Sequence, residues 1–471
     1  MSMAVHPNIP TVTSDLEPMR GEKLVRPFTR FAQLSSSGGL VLLACTLAAM
    51  IWANSSEWES YTHIFHEMEV HLGVGEFMLQ HQGHMSLGLF INDALMAVFF
   101  LLVGLEIKRE IIVGELSDVK KAALPIVAAF GGMVAPALIF VSLNMGHDSI
   151  RGWGVPMATD IAFALGILAL LGSRVPNSLK VFLTSLAIAD DLGALLVIAF
   201  FYTEHLNVEA LGYAAVIVGV LVLLNRFGFK SAAWFLVPGL FLWYFVFISG
   251  VHATIAGVLL AATIPVNPRV EVSRYSRYTR AALDVFDESD DPTQDIRTNA
   301  TQRAAVMQIN ENGRLVLPLL HRLEHALEGP VSFLIIPIFA LANAGLHITG
   351  GIGEALFNRV SLGVILGLVI GKPLGITLAC WIAVKLNIGV LGKGVTWRQI
   401  IGVSCLGGIG FTMALFIATL GFKTHPDYLD HAKLGILTAS AISAPAGLGI
   451  LLTCPPASEE QADDPDEPRD G

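Results

Sequence analysis

Two adjacent carboxylates, Asp190 and Asp191, sit at the centre of Leu179 to Tyr202, a run that is otherwise almost wholly apolar. A run of that length reads as a membrane-spanning helix. Asp160 and Lys372 interrupt two other apolar stretches in the same way. Each ionisable residue at bilayer depth costs roughly 3 kcal/mol or more on insertion scales and normally faces a partner or an aqueous cavity. Four of them carry a cost of order 10 kcal/mol, and ion or proton handling is the usual reason for bearing it. Adjacent helix positions point about 100° apart, so one aspartate can face an ion cavity while the other faces a neighbouring helix. Desolvation and mutual repulsion oppose two negative charges there, and carboxylate oxygens suit a hard cation such as Na+. Lys372, within Ile370-Gly-Lys-Pro-Leu374, is the natural counter-charge, and burial equips it to give up a proton itself. The plainer alternatives are helix-packing aspartates and a lysine that snorkels to an interface.

Two stretches have the composition to position such groups. Pro156-Met-Ala-Thr-Asp-Ile-Ala-Phe163 places a proline, Thr159 and Asp160 in mid-span, which predicts an interrupted helix. Cys405-Leu-Gly-Gly-Ile-Gly-Phe-Thr-Met413 has Gly407, Gly408 and Gly410 within four positions and predicts a second interruption. Unwound backbone exposes helix ends, which act as partial charges of either sign. One glycine-rich span alone would read as close helix packing; the pair reads as a broken-helix binding region.

A second set of polar residues lies nearer the span ends. Asp93 is early in the second span, and Glu106 and Glu110 share one helix face at its other end, beside Lys108 and Arg109. This is either a solvated collar or an acidic mouth that attracts cations. His252 starts the eighth span, while Glu324 and His325 precede the ninth; histidine titrates near physiological pH, and interfacial packing is the alternative. Residues 55–85 hold five histidines, including the pairs His63/His66 and His81/His84. A zinc site there lacks cysteines and a firm helical frame, so a solvated connection is the better reading. Cys45, Cys380, Cys405 and Cys454 show no metal or redox spacing and read as small core residues.

With 54% hydrophobic and only 14% charged residues, and a mean hydropathy of +0.64, the chain is a polytopic all-α membrane protein rather than a soluble domain. Twelve apolar segments are discernible, at about 39–53, 87–105, 122–141, 155–171, 179–202, 208–224, 232–248, 252–264, 331–346, 362–381, 400–420 and 434–452. Basic residues alternate between connections: present in 20–30, absent from 55–85, present again at Lys108, Arg109, Lys120 and Lys121. By the positive-inside rule both termini are cytoplasmic. The first thirty residues lack an apolar signal core, so no cleavable signal is expected. The organisation is thus a cytoplasmic segment 1–30, spans one to eight in 31–265, a cytoplasmic connection 266–330, spans nine to twelve in 331–453 and an acidic tail 454–471. The polar insertion Val266 to Arg314 reads as mobile, with Asp284-Val-Phe-Asp-Glu-Ser-Asp-Asp-Pro292 as its acidic core. The net charge of −10 comes largely from the tail, and neither a nucleic-acid partner nor a resident cofactor is expected.

The chain strongly resembles the NhaA-type sodium/proton antiporters of bacteria. The matching stretches include Ile91-Asn-Asp93, Phe99-Phe-Leu-Leu-Val-Gly-Leu-Glu-Ile-Lys-Arg-Glu110, Ala158-Thr-Asp-Ile-Ala-Phe-Ala-Leu-Gly166, Ala187-Ile-Ala-Asp-Asp-Leu-Gly193, Ser249-Gly-Val-His-Ala-Thr254, Ala340-Leu-Ala-Asn-Ala-Gly345, Ile370-Gly-Lys-Pro-Leu-Gly375 and Gly408-Ile-Gly-Phe-Thr-Met413. The rule linking paired interruptions to a binding site was drawn partly from this family, so it is not independent support. The resemblance implies a twelve-helix fold with inverted repeats, whose broken spans, about 155–171 and 400–420, cross at mid-membrane. It makes Asp190 and Asp191 the ion- and proton-binding pair, Lys372 a partner of one of them, and Thr159 and Asp160 residues beside the crossing. It links Glu106, Glu110, His252 and Glu324, with His325 alongside, to pH response, and connection 55–85 to a homodimer contact.

The function so implied is electrogenic export of Na+ or Li+ in exchange for protons across the inner membrane, not an enzymatic reaction. The protons travel on both aspartates, or on one aspartate and Lys372. A sodium-coupled symporter would need a substrate cavity. An intramembrane aspartyl protease would place its aspartates on two helices in a Gly-x-Gly-Asp context, absent here. A passive channel is disfavoured by Lys372. The insertion 266–314 and the acidic tail depart from the family pattern and bear on regulation rather than on the ion site.

Overall fold

The structure, a computed structural model, describes residues 37–70, 73–74, 77–78, 85–203, 206–268, 270–290, 295–347, 351–392 and 394–455. Segment 1–30, the His81/His84 pair and nearly all of the acidic tail lie outside the described residues.

Helix dominates, as it must where an apolar surround leaves backbone N–H and C=O groups no partner but each other. Among the described residues eight helices are long and apolar enough to cross a membrane: Leu87–Ile112, Lys120–Asn144, Asp148–Leu170, Asn177–Phe201, Val208–Arg226, Leu319–Asn343, Arg359–Lys385 and Pro426–Leu452. A ninth arises if Trp397–Gly407 and Phe411–Gly421, bent by 44°, count as one span. Gly38–Ala53, Ala233–Ile248 and Thr254–Thr263 are shorter apolar helices. Several helices outrun the apolar segments read from sequence. The ninth segment was expected at 331–346, but its helix starts at Leu319, so Glu324 and His325 stand on the helix rather than before it. Hydropathy locates only the apolar part of a helix, and a polar first turn continues it unmarked.

The chain divides into two compact units. One comprises Met1–Met96, Glu110–Thr203 and Ser332–Gly471. Within it, Arg359–Lys385 crosses Lys120–Asn144 at Gly131 and Gly375. A Cβ on Gly131 would lie 2.4 Å from the Gly375 carbonyl oxygen, and one on Gly375 would lie 2.2 Å from that of Gly131. Without water to drive helices together, such small-residue contacts let packing do so. The crossing fixes the level of Lys372, one turn before Gly375, and a wide turn at Gly367–Gly371 sets the face it presents. The connection after Gly38–Ala53 forms a short helix Trp58–Thr62, a wide turn His63–Glu67 and a two-stranded antiparallel ribbon with Gly73 opposite Met78 and Val74 opposite Phe77.

The other unit comprises Ala97–Arg109 and Glu204–Val331. Its core gathers Leu101, Leu105, Leu221, Phe235, Leu242, Leu260 and Leu320. Lys108 donates to the carbonyls of Ala262 (2.7 Å) and Ile264 (2.5 Å), where helix Thr254–Thr263 runs out of internal partners. The insertion differs from the expected mobile segment: Val272–Glu288 and Ala300–Val316 are helices packed side by side. Tyr275, Thr279, Ala282 and Phe286 turn inward on the first, Gln302, Ala305, Ile309 and Asn312 on the second. That alternating three–four spacing is a coiled-coil seam, hidden in a composition that is polar overall.

Candidate ion-binding site

The site lies within the first unit, where two interrupted spans meet. Tight turns over Asp148–Met157 give way to extended backbone at Ala158 and Asp160, and an α-helix starts at Ile161. The other span breaks between Gly407 and Phe411. Free backbone groups at each break are satisfied by the other: the Asp160 N–H donates to the Ile409 carbonyl (2.7 Å), and the Thr159 hydroxyl donates to the Gly407 carbonyl (3.0 Å).

Asp160 caps two helices with one carboxylate. Its Oδ1 accepts from the Phe163 N–H at 3.0 Å, at the start of Ile161–Leu170. Its Oδ2 accepts from the Thr412 N–H at 3.1 Å and the Thr412 hydroxyl at 2.5 Å, at the start of Phe411–Gly421. The negative charge thus faces the positive ends of two helix dipoles, which is why a carboxylate only 2% exposed is tolerated. Lys372 plays the opposite part. Its ammonium, fully buried, donates to the Met157 carbonyl at the end of the first half-span and to Asp190 Oδ2 at 2.6 Å.

Asp190 and Asp191 lie mid-way along Asn177–Phe201 and are 1% and 2% exposed. Asp190 spends one oxygen on Lys372; its Oδ1 accepts no hydrogen bond among the described residues. Asp191 lies within electrostatic reach of the same ammonium. Asp190, Asp191 and Lys372 therefore share a buried region, an excess of negative charge once all are ionised. Such a cluster has to take up a cation, or protons, to be neutral.

The three glycines do different work. None has a positive φ, so close approach rather than backbone freedom explains them. A Cβ on Gly408 would lie 2.5 Å from the Leu368 carbonyl oxygen and 2.8 Å from the Ser443 hydroxyl, and one on Gly410 would lie 2.9 Å from the Ala414 side chain. On Gly407 it would meet only the tip of Ile376, at 3.1 Å.

The remaining predicted residues stand apart from this cluster. Asp93 lies in a wide turn, Ile91–Leu95, beside Asn92, whose amide exchanges hydrogen bonds with Asn343 (2.8 and 3.2 Å). Glu110, largely buried, accepts the Glu115 N–H at 3.0 Å and so closes the turn after its own helix. In the second unit, Glu324 pairs with Arg109 at 3.0 Å, Glu106 and His252 are half-buried, and His325 is exposed. Among the described residues, no group of three or more His, Cys, Asp or Glu is placed to hold a metal ion.

Sequence reading missed three contributors. Thr412 is an ordinary residue in an apolar helix, and only its place after the glycines hints at a role. Ser440 lies on Pro426–Leu452 and accepts from the Phe411 N–H at 3.4 Å. Lys433 is 4% exposed on the same helix and donates to the Gly345 carbonyl at 3.2 Å, where helix Ile336–Asn343 ends. Its signal, a lysine in His-Ala-Lys-Leu-Gly-Ile-Leu, was visible but fell just before the expected segment 434–452. Nearby, Tyr61 donates to the Leu341 and Ala342 carbonyls and accepts from the Gly345 N–H, fastening the connection to the same helix end.

Comparison with known proteins shows the family to which the chain belongs. The profile of the family described as Na+/H+ antiporter 1 matches residues 29–451. A Na(+)/H(+) antiporter NhaA of Oleidesulfovibrio alaskensis is 47% identical over 432 residues, covering 91% of this chain and 94% of the relative. The Na(+)/H(+) antiporter NhaA of Acidithiobacillus ferrooxidans is 46% identical over 436 residues, covering 90% of this chain and 97% of the relative. The NhaA 1 of Saccharophagus degradans is 44% identical over 427 residues, covering 90% and 91%. The chain belongs to the Na+/H+ antiporter 1 family, the NhaA antiporters.

Proposed function

We propose that this protein is an electrogenic antiporter of the bacterial inner membrane that exports Na+ or Li+ and imports more than one proton per cation. The observation that carries the reading is the fully buried ion pair between Asp190 and Lys372, 2.6 Å long, beside two interrupted spans. A hard cation takes oxygen ligands, and the Asp190 and Asp191 carboxylates are the donors at hand, with Thr159 and Asp160 holding the crossing beside them. Na+ can occupy Asp190 only when Lys372 withdraws or gives up its proton, so cation and protons compete for one site. Two titrating groups per cation make the exchange move net charge; they are both aspartates, or one aspartate and Lys372. The site opens to one side at a time, the interrupted spans supplying the moving parts.

In the same reading the eight long helices, the bent pair and the three shorter helices form twelve spans related by inverted repeats, with both termini cytoplasmic. Connection 55–85 contributes to a homodimer. Glu106, Glu110, His252, Glu324 and His325 tune the response to pH. The Arg109–Glu324 pair, 3.0 Å long, supports that last point by placing two of these charges in direct contact. Asp93 belongs to the same outer set. Proteoliposomes test the charge movement: sodium-driven proton flux speeds up when valinomycin and K+ clamp the membrane potential. A flux indifferent to the clamp contradicts the stoichiometry, and proton movement indifferent to Na+ contradicts the function.

A further inference from the structure

The connection between Thr254–Thr263 and the helix that starts at Leu319 is a hairpin whose first helix has its charges sorted along its length. The first helix, Val272–Glu288, carries Arg274, Arg277 and Arg280 in its first half, all exposed. Steps of three residues turn the helix by about −60°, so the three guanidinium groups fan across roughly 120° of the outer face, away from the seam. None of the three is engaged in an ion pair or side-chain hydrogen bond among the described residues. The acidic residues Asp284, Asp287, Glu288 and Asp290 lie at the opposite end, and Asp290 is held there by Gln302 at 3.2 Å.

The basic end is the end anchored to the spans. Val272 follows the last residue of the preceding apolar stretch, Ile264, by eight positions. Between them, Lys230 donates to the Pro268 carbonyl at 2.5 Å and ties the chain to the turn after Val208–Arg226. Arg314 and Arg322 add two cations to this end, lining with Lys230 and Glu311 a cavity of about 190 Å3. Val272 is 71% exposed, Tyr278 60% and Leu317 55%, so apolar and aromatic surface accompanies the arginines. Unpaired guanidinium groups, an exposed tyrosine and aliphatic side chains at the foot of a membrane span are the composition of an interfacial segment.

We infer that the basic foot of this hairpin docks on the phosphate headgroups of anionic phospholipids, through Arg274, Arg277 and Arg280, with Val272 and Tyr278 at the headgroup level. Guanidinium groups bind phosphate bidentately, and the acidic tip is repelled by the same surface, so the hairpin stands with its foot on the bilayer. This gives the insertion a role in sensing leaflet charge, independent of the ion chemistry at Asp190.

Amide hydrogen exchange of the full-length protein in nanodiscs tests the inference. Both leaflets have the same lipid there, so the outcome does not depend on the orientation or on transport. Each arginine near an anionic surface contributes a preference of roughly fivefold. Exchange over residues 272–281 is therefore expected to slow by about tenfold or more when phosphatidylglycerol replaces phosphatidylcholine, with residues 284–288 unchanged. High salt abolishes the difference. The triple variant Arg274→Gln, Arg277→Gln, Arg280→Gln abolishes it too, while continued protection at Ala282 and Ala305 shows that the hairpin remains folded; the corresponding Arg→Lys triple, which keeps the charge but not the bidentate fork, retains only part of it. Equal exchange in the two lipids, or protection that survives the Gln triple, would overturn the proposal.

Discussion

Replacing Asp160 with Asn tests the claim that one carboxylate starts two helices. An amide has one acceptor oxygen where the carboxylate has two. If that oxygen keeps the Phe163 N–H, the amide nitrogen is turned toward the Thr412 N–H, donor facing donor, and the Thr412 hydroxyl has to turn round from donor to acceptor. If the amide flips, the conflict moves to Phe163. Loss of a cap costs about 1 kcal/mol, and leaving a buried donor unmet costs about 1–3 kcal/mol. The expected loss is therefore about 2–4 kcal/mol, from a change of one atom. Thr412→Val removes only the hydroxyl donor and is expected to cost about 1–2 kcal/mol. Because both changes strike the same contact, the double variant loses less than the sum by about 1 kcal/mol or more. Unfolding followed by helicity, in neutral detergent titrated with dodecyl sulfate, measures all four proteins on one scale. An Asp160→Asn protein within about 0.5 kcal/mol of the parent, or strict additivity with Thr412→Val, would refute the double-cap reasoning.

Other expectations follow from the same contacts. Lys372→Met strands the Asp190 carboxylate in a fully buried place and should cost about 3–5 kcal/mol in the same titration, most of it recovered when Asp190→Asn is added. Gly408→Ala drives a methyl group onto a backbone carbonyl and should abolish exchange or folding, whereas Gly407→Ala, which meets only a side-chain tip, should leave both nearly intact; vesicle transport and detergent stability separate the two. Partial desolvation by its neighbours, and then the charge of Lys433, hold the His66 imidazole below its ordinary value. A depressed folded-state value gives stability that is complete above the unfolded value, about 6.5, and lost as pH falls below it. Segment Trp58–Glu67 should accordingly loosen in acid, as amide exchange corrected for intrinsic rate would show, and His66→Gln should remove that dependence.

The legibility of the sequence varied with how loudly each residue broke its surroundings. Asp190, Asp191, Asp160 and Lys372 were readable because a charge in an apolar run has no ordinary explanation, and their exposures of 2% or less fit that reasoning. The interruptions were readable because proline, threonine and glycine cannot all be absorbed by a regular helix. Thr412 was not readable: a threonine in an apolar helix is unremarkable, and its role comes from a carboxylate more than 200 positions away in the chain. Lys433 was lost to a boundary, since hydropathy marks the apolar part of a helix and places a lysine at its margin outside. The hairpin 272–316 was lost to composition, because its seam is drawn mostly in tyrosine, threonine, alanine, glutamine and asparagine, with only Phe286 and Ile309 among them. The wide turns at Ile91–Leu95, Val331–Ile335 and Gly367–Gly371 have no signature in residue type at all.

The central claim is that Na+ and protons compete for the Asp190/Asp191 pair. Everted membrane vesicles energised to an acid interior test it directly, with the collapse of the pH gradient followed on adding Na+ across the neutral to alkaline range. The expected result is collapse with the parent protein and none with Asp190→Asn or Asp191→Asn, each shown to be inserted at parental levels. Undiminished sodium-induced collapse with Asp191→Asn would contradict the assignment of the site.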